Sequence, residues 1–404
     1  MQFFKVESYE NASESIRRSF DVNKLSTPLI SLYEAVGYYV ACDIFAKENL
    51  PDYNRSTVDG YAVKAANTYG ASDSIPTLLR LTGKVEMGKM PQFEINDGDT
   101  AYVPTGGAIP NGADAMVMLE HTEPFDDDIA VYRPSVVGEN IIKTADDVSS
   151  GERLMKKGEL LTPLKAGVLA AAGISDIKVY EKIKVAIIST GDEIVAIDQK
   201  KKPGEIRDTN TILEKALLEQ NGFRICSTAK IKDGFELLFD AVNEAKKKAD
   251  IILISGGSSV GTRDFTEKVL EKQGKIIVRG IAVKPGKPTI AAIIDGKPAI
   301  GLPGHPMACL LVLKLLVIDN ILGLFENRRL PFVTAATTVN FPSSPGRLTI
   351  QPVSLDYTDN GITATPIFYK SGLVSVMAKA DGYALISSKQ EGIAKNTPIK
   401  VFLL

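Results

Sequence analysis

The hydrophobic and polar positions change their spacing along this chain, and the changes predict separate domains. Between residues 9 and 47 apolar side chains recur every three or four positions, which predicts helices with Asn11 or Ser13 as an N-cap. These apolar positions include Leu29, Leu32, Ala35, Val36 and Tyr39. From residue 50 to about residue 137, short β-type runs are separated by Gly, Pro and Asp, so we expect a β-rich domain inserted after the helices.

A mixed pattern returns over residues 138–180, where residues 164–172 predict a helix that Gly173 closes. Strands, loops and helices then alternate between residues 182 and 324, which predicts a parallel sheet with helices on both faces. The predicted elements there are residues 185–188, 211–221, 225–231, 235–248, 251–254 and 265–273. After residue 331 only β-type runs follow, which predicts a small C-terminal β-barrel or sandwich.

The chain is therefore predicted to be a multidomain α/β plus β protein, since 404 residues exceed what one core usually organises. Residues 1–47 and 138–180 are expected to form a discontinuous helical or mixed N-terminal domain. Residues 48–137 form the inserted β-rich domain, residues 181–325 a doubly wound α/β domain, and residues 326–404 the small β-barrel.

Charge and composition exclude several classes of function. The 47 basic and 49 acidic residues nearly balance, which argues against a general nucleic-acid or membrane-surface binder. The longest apolar run, residues 308–318, is shorter than the ~20 residues of a membrane span and predicts a core helix. The N-terminus lacks a secretory apolar stretch, and the three cysteines are widely spaced, so we expect a cytoplasmic protein without disulfides. With two histidines, a metal site would use oxygen ligands, which favours Mg²⁺.

Three apolar runs lead directly into glycine-rich loops, at residues 189–193, 255–261 and 301–306. Buried strands that end in such loops present backbone amides to anionic ligands at the carboxyl edge of an α/β sheet. Three of them within about 120 residues predict one site for a phosphate-bearing substrate.

Carboxylates and cations accompany these loops. Asp192 and Glu193 follow a strand and a glycine, where they would hold a metal or orient water, with helix capping as the alternative. Asp264 lies three residues beyond Gly261 and would share the crevice. Asp208 and Asp233 lie in connections and would serve as carboxylates or as caps.

Residues 284–288 place Lys284 and Lys287 on a backbone stiffened by prolines, which suits an oxyanion clamp or an exposed basic turn. His305 would contact a ligand or face solvent. In the β-rich domain, Asp59 and Thr105 lie in polar, glycine-containing segments that would reach a substrate or form ordinary turns.

These segments together resemble the molybdopterin molybdenumtransferase family, which includes MoeA and the E domain of gephyrin. The resemblance spans essentially the whole chain. The matching motifs occur in order at residues 55–63, 105–114, 138–140 with Asp147, 189–193, 255–261 with Asp264, 284–288 and 301–306.

The resemblance implies an elongated homodimer whose cleft lies between the α/β domain of one subunit and the β-rich domain of the other. It implies that molybdate enters adenylylated molybdopterin, that the adenylyl bond is hydrolysed with Mg²⁺, and that molybdenum cofactor and AMP leave. A molybdopterin adenylyltransferase and recipient molybdoenzymes are the further partners it suggests, with no nucleic acid and no membrane.

The resemblance also implies roles for individual residues. The acidic positions of the cleft, for metal binding or adenylyl hydrolysis, are Glu193, Asp192, Asp233 and Asp264, with Glu193 and Asp264 as metal ligands. The positions from the partner subunit's side are Asp59, which is grouped with the catalytic residues, and Thr105 and Asp147, which bind substrate. The remaining substrate positions are Ser255, Gly256, Gly257, Ser259, Lys284, Pro285, Lys287, Pro303 and Pro306, with Arg347 and Ser371 as molybdate contacts.

Several positions depart from the family pattern and leave alternatives open. Ile142 and Lys143 stand where many members have arginine, and His305 and Ala308 replace an asparagine and a serine. Thr262 replaces a frequent aspartate. These departures leave room for tungstate as the favoured oxyanion. The alternatives are an adenylyltransferase-like nucleotide enzyme and a nonenzymatic cofactor carrier or scaffold.

Overall fold

The computed structural model describes residues 6–256, 260–325, 330–359, 361–368 and 373–404, and it describes residues 260–264 without their side chains. In these ranges, none of the helices is long and apolar enough to cross a bilayer.

The N-terminal region contains one helix and short strands. These are α1 (Tyr9–Arg18), β1 (Leu29–Ser31) and β2 (Ile44–Phe45). Ser8 caps α1, because its hydroxyl accepts from the backbone N–H of Asn11 at 3.2 Å, so neither Asn11 nor Ser13 is the N-cap. Ala12 and Ile16 of α1 are buried in the core of the α/β domain. The helix therefore packs against that domain, and the grouping of residues 1–47 with residues 138–180 stays a prediction.

The inserted β-rich region forms a mixed sheet, which contains both antiparallel and parallel strand pairs. Its strands are β3 (Arg55–Ser56), β4 (Gly60–Val63), β5 (Thr77–Lys84), β6 (Asp99–Val103), β7 (Ala115–Met118), β8 (Thr122–Phe125) and β9 (Asp128–Val131). Six of them form one sheet in the order β7-β4-β6-β5-β9-β8. Val63 and Leu79 pack on one face, whereas Val85 and Val103 pack on the other. The β-type runs predicted between residue 50 and about residue 137 are confirmed by this sheet.

The chain then returns to the N-terminal segment. The elements are β10 (Ile141–Ile142), β11 (Arg153–Met155), α2 (Pro163–Ala171) and β12 (Asp176–Lys178). β1 pairs with β12, β2 with β11, and β3 with β10, all antiparallel. Gly173 follows α2 with a φ of +69°, and its N–H donates to the Ala170 carbonyl at 3.1 Å, which closes the helix as predicted.

The helical prediction for residues 9–47 is confirmed over α1 but is wrong at the apolar positions from Leu29 to Tyr39. These positions fit a helical spacing, but Leu29 and Ile30 lie in β1, which pairs with residues 176–178 far along the chain. Gly37 then turns the chain with a φ of +88°, which ends any regular element. The pairing partner is nonlocal, so a local spacing argument could not detect it.

The α/β domain follows. Its elements are β13 (Lys184–Thr190), β14 (Ile194–Val195), β15 (Ile206–Arg207), α3 (Thr209–Gln220), β16 (Arg224–Ile231), α4 (Phe235–Lys248), β17 (Ile251–Gly256), α5 (Val260–Gln273), β18 (Lys275–Arg279), β19 (Val283–Lys284), β20 (Ile290–Ile294), β21 (Lys297–Leu302), α6 (Pro306–Val312) and α7 (Asp319–Leu322). A π-helical turn, Leu313–Ile318, joins α6 to α7, so the apolar run over residues 308–318 is a buried helical segment as predicted.

The central sheet has the strand order β16-β13-β17-β21-β20-β18. β16, β13, β17 and β21 are parallel, but β20 runs antiparallel to both of its neighbours. The sheet is therefore mixed, which corrects the expectation of a fully parallel one. The cause is local: only Asp295 and Gly296, both with positive φ, separate β20 from β21, and such a pair makes a tight hairpin.

Each face of this sheet has its own core. Val185 and Ile187 of β13 face the side covered by α3 and α6, whereas Ala186 and Ile188 face the side covered by α4 and α5. We call these the α3/α6 face and the α4/α5 face. Alternate residues of each strand thus serve different cores.

The C-terminal region forms a closed barrel. Its strands are β22 (Phe332–Thr337), β23 (Phe341–Pro342), β24 (Leu348–Thr358), β25 (Gly361–Pro366), β26 (Gly382–Ile386), β27 (Gly392–Ile393) and β28 (Pro398–Leu403). The order β19-β24-β25-β22-β28-β26 closes because β26 also pairs with β24. β19 of the α/β domain joins the barrel alongside β24, which connects the two domains through backbone hydrogen bonds.

Candidate functional site

Two of the predicted carboxylates meet at the carboxyl end of β13. The Thr190 hydroxyl donates to Asp233 Oδ1 at 2.8 Å, and the Asp233 N–H donates to Asp192 Oδ1 at 3.3 Å. Asp192 is exposed and Asp233 is half-buried. We call Thr190, Asp192 and Asp233 the carboxylate edge. Asp192 thus joins two loops instead of capping a helix.

Glu193 lies beside this edge and is half-buried. Its carbonyl accepts from the Ile206 N–H at 2.8 Å, and a Cβ built on Gly191 would lie 2.9 Å from Glu193 Oε2. Asp208 has the capping role that the sequence left open. Its carboxylate accepts from the backbone N–H of Thr211 at 3.1 Å and from the Thr211 hydroxyl at 2.8 Å at the start of α3.

The glycine-rich loop starts next to the carboxylate edge. Gly256 is the last residue of β17 and pairs in register with Thr190; a Cβ at Gly256 would lie only 2.3 Å from Thr190 Cγ2. Ser255 has 1% exposure, so its hydroxyl lies inside the protein and not on the surface of the site. Gly257 and Ser259 lie outside the described residues.

A metal at this edge would meet oxygen ligands. Asp192, Glu193 and Asp233 supply carboxylates, the ligand type that suits Mg²⁺. Within the described ranges there is no group of three or more His, Cys, Asp or Glu side chains arranged around one metal position. Asp264 lies in α5, but its side chain is outside the described part of the structure.

A cavity of about 220 Å³ gathers the predicted cations. We call it the cationic pocket. Its lining includes Lys284, Pro285, Lys287, Pro303, His305, Pro306, Ala308 and Arg347. Lys284, Lys287 and Arg347 are exposed, and none of the three forms an ion pair among the described residues. Three uncompensated cations favour an anionic ligand.

Strand pairing explains how distant residues reach this pocket. Val283 and Lys284 pair in register with Leu348 and Thr349, so Arg347 of the barrel is carried to the pocket that Lys284 also lines. Gly286 has a φ of +123°, and a Cβ there would lie 2.4 Å from Val312 Cγ2 of α6. The turn therefore packs directly on the helix. Ser371, the other predicted molybdate contact, lies outside the described residues.

The structure also joins two of the residues predicted from the β-rich domain. The Thr105 N–H donates to Asp59 Oδ1 at 2.9 Å, and both residues are exposed. Asp147 is exposed as well, and its N–H donates to the Leu50 carbonyl at 3.1 Å. All three side chains are thus open to a partner or a substrate.

Sequence reasoning missed a buried carboxyl beneath the site. Glu214 on α3 has 0% exposure and accepts a hydrogen bond from the Cys309 thiol at 3.1 Å. Burial raises the pKa of Glu214 to about 7 and raises that of Cys309 well above its usual value. The pattern did hold a clue, because Glu214 shares the buried stripe of α3 with Leu217 and Leu218 at helical spacing.

Known families match nearly the whole chain. Residues 7–173 match the MoeA N-terminal region (domain I and II), residues 186–323 match the "Probable molybdopterin binding domain", and residues 334–404 match the MoeA C-terminal region (domain IV). The first match covers the N-terminal and β-rich regions together, the second covers the α/β domain and the third covers the barrel.

Individual relatives and structures agree. The molybdopterin molybdenumtransferase of Bacillus subtilis is 30% identical over 400 residues, which cover 97% of this chain and 93% of that one. The enzyme of the same name from Staphylococcus aureus is 28% identical over 380 residues, covering 93% and 90%. A crystal structure of the molybdopterin biosynthesis MoeA protein of Pyrococcus horikoshii is 35% identical, has a TM-score of 0.82 and covers 99% of each chain. The chain therefore belongs to the molybdopterin molybdenumtransferase (MoeA) family.

Proposed function

We propose that this protein transfers molybdenum from molybdate to adenylylated molybdopterin, with Mg²⁺-dependent hydrolysis of the adenylyl bond and release of AMP. Family membership supports the coarser statement that the protein is a transferase that inserts molybdenum into molybdopterin. The adenylylated substrate and the Mg²⁺ are the finer part of the proposal.

One observation carries the proposal: β13, β17 and β21 are adjacent and parallel, so their carboxyl ends lie on one edge of the sheet. The carboxylate edge follows β13, and the turn that leads into the cationic pocket follows β21. A phosphate-bearing ligand with a cation on one side and an oxyanion on the other fits this arrangement.

The cationic pocket is proposed as the oxyanion site. Molybdate is a small tetrahedral dianion, and Lys284, Lys287 and Arg347 supply positive charge around about 220 Å³. Pro285, Pro303 and Pro306 line the same pocket and limit the backbone freedom lost on binding. The pocket should therefore select by charge and size.

The carboxylate edge is proposed to hold Mg²⁺ through Asp192, Glu193 and Asp233, with Asp264 as a further ligand. When bound, Mg²⁺ would neutralise phosphate charge and help to activate water. Glu193 is proposed to orient the hydrolytic water or a ligand of the metal. Asp59, Thr105 and Asp147 are proposed to reach the cleft from the partner subunit of a cytoplasmic homodimer.

The test is AMP release from adenylylated molybdopterin by the purified protein, with Mg²⁺ present and molybdate or tungstate titrated. Release that depends on Mg²⁺ and on one oxyanion is the expected result. Tight binding without release would overturn the proposal and favour a cofactor carrier.

Tungstate is the second oxyanion to compare, because His305 and Ala308 line the pocket. An alanine offers no hydroxyl to the ligand, so this side of the pocket lacks a hydrogen-bonding side chain at that position. A larger response to tungstate than to molybdate would identify the protein as a tungsten-inserting variant of the same reaction.

A further inference from the structure

A buried polar cluster lies on the α3/α6 face of the sheet, directly beneath the site. Glu214 of α3 and Cys309 of α6 have 0% exposure, and Ser189 and Ser255 have 1% each. Ser189 and Ser255 are paired in register on β13 and β17, so their side chains emerge on the same face. Each serine stands one residue before the end of its strand.

Only part of the hydrogen-bonding capacity of this cluster is used among the described residues. Cys309 Sγ donates to Glu214 Oε1 at 3.1 Å. Glu214 Oε2 and the Ser189 and Ser255 hydroxyls are buried without a hydrogen bond of ordinary geometry among the described residues. Burial raises the pKa of Glu214 most, and the nearby Cys309 thiol and Ser255 hydroxyl lower it in part.

A proton on Glu214 Oε2 gives both Glu214 Oε2 and the Ser255 hydroxyl a hydrogen-bond partner. A neutral carboxylic acid accepts from the thiol on one oxygen and donates from the other, which gives the Ser255 oxygen a partner. The charged form would need counter-charge, since a buried carboxylate without cations is costly. The charged or titratable groups that face Glu214 are Cys309 from α6 and Asp208 from the start of α3, and neither is a cation. From β17 the Ser255 hydroxyl faces it, and Ser255 pairs in register with Ser189 of β13.

The cluster contacts both halves of the proposed site. Asn210, one turn before Glu214 on α3, donates from Nδ2 to the Gly304 carbonyl at 3.0 Å, in the turn that enters α6. Cys309 lies in the first turn of α6, and its N–H donates to the His305 carbonyl at 2.8 Å. Ser255 directly precedes Gly256 of the glycine-rich loop. Asn210 and Glu214 of α3 thus contact the turn and helix that border the cationic pocket. Glu214 also lies next to Ser255, which leads into the glycine-rich loop.

We propose that Glu214, as a neutral carboxylic acid, is a positioning residue that fixes the end of β17 against the start of α6. The effect on turnover rests on the proposed function, whereas the protonation of Glu214 does not. Cys309 donates to Glu214 in either protonation state, so loss of the proton would remove only the donation from Oε2 to the Ser255 oxygen. Ser255 would have to turn its own hydrogen toward a charged, buried carboxylate, and the end of β17 would lose its fixed position against α6.

Protonation also makes stability depend on pH. The carboxyl has a pKa near 4.5 in the unfolded chain and about 7 in the folded protein. The unfolded state therefore releases its proton first, and stability falls as pH rises from about 4.5 to about 7, then levels off. Glu214→Gln keeps the shape of the side chain and cannot ionise. The melting temperature of the variant relative to that of the native protein should therefore rise as pH increases across this range.

The experiment compares Glu214→Gln with the native protein and with Glu219→Gln, an exposed carboxylate on the same helix. Infrared difference spectra should show a protonated carboxyl band that disappears with a midpoint near pH 7. The band should be absent in Glu214→Gln and unchanged in Glu219→Gln. Turnover of the native protein should fall several-fold above that midpoint, and Glu214→Gln should retain its rate there.

A second variant tests the same proposal if Glu214→Gln does not fold. Cys309→Ala removes a hydrogen-bond donor that stabilises the charged carboxylate. The neutral acid is then favoured, so the infrared midpoint should move to higher pH. A native spectrum without the band, or a band unaffected by both substitutions, would overturn the protonation of Glu214. A pH-dependent rate shared by Glu214→Gln would overturn its positioning role. The infrared and melting results stand even if no AMP release is found, so failure of the proposed function is distinguishable.

Discussion

The two faces of the α/β sheet place carboxyl groups in different surroundings. On the α4/α5 face, Thr190 donates to the half-buried carboxylate of Asp233 at 2.8 Å, next to solvent. On the α3/α6 face, one residue earlier in the same strand, Ser189 is buried and pairs in register with Ser255, which lies next to the buried carboxyl of Glu214. Both faces place a hydroxyl beneath a carboxyl group, but only one of the two carboxyl groups reaches water.

The comparison shows that the degree of burial determines which role a carboxyl group can have. A half-exposed carboxylate keeps part of its hydration and is available to a cation or to water. A fully buried one has no hydration to keep, so burial raises the pKa of Glu214 to about 7. The first kind suits chemistry at the edge, and the second suits holding elements in place.

The largest effect is expected at the exposed edge. Glu193→Gln should bind ligand within a few-fold of the native protein but lose roughly 10²-fold or more in turnover, about 2.7 kcal/mol, because the amide cannot accept a proton. AMP release and calorimetric binding would be measured together. Glu236→Gln, an exposed position in the first turn of α4, is the control. An equal loss of binding and turnover would contradict this role.

Gly256→Ala tests how tightly the two strand ends meet. The new Cβ would lie 2.3 Å from Thr190 Cγ2, so we expect a loss of about 1–3 kcal/mol in unfolding free energy. Thermal and denaturant unfolding would measure it. Gly167→Ala in α2 is the matched control, since a Cβ there meets nothing within 4 Å and should be neutral or stabilising. Similar losses in both variants would argue against a close contact at Gly256.

Lys284→Ala tests the cationic pocket, which belongs to neither carboxyl cluster. Molybdate should bind about tenfold more weakly, because a charged hydrogen-bond donor is removed. The native affinity should fall as salt is added, and the variant should respond less to salt. Equilibrium dialysis at two ionic strengths would measure this. Lys178→Ala, an exposed position on β12, should behave as the native protein does; an unchanged molybdate affinity at Lys284→Ala would reject the pocket.

The smallest effect compares the two faces directly. Thr190→Val removes the donor to Asp233 and should cost about 1 kcal/mol. Ser189→Ala removes a buried hydroxyl without an ordinary hydrogen bond, so it should be neutral or slightly stabilising. Denaturant unfolding of both variants decides the matter. A larger cost for Ser189→Ala would show that its hydroxyl is paired within the cluster.

Local patterns predicted much of this protein because they reflect local physics. The helix over residues 235–248 was predicted with the bounds that the structure shows, since its apolar stripe and flanking residues mark both ends. The glycine-rich loops were located because small residues must follow a buried strand wherever the backbone is exposed to a ligand. The motifs that carry the family resemblance are also local, and the comparisons confirmed the family.

The tertiary structure decided what depends on distant partners. Residues 29–31 became a strand because residues 176–178 pair with them, and α1 joined the α/β core because its buried face fits there. Arg347 reached the pocket that Lys284 also lines only through the pairing of β19 with β24. Glu214 became a buried acid because α6, β13 and β17 enclose it. Spacing along a chain sets which faces are apolar, whereas burial and partners depend on what folds against each face.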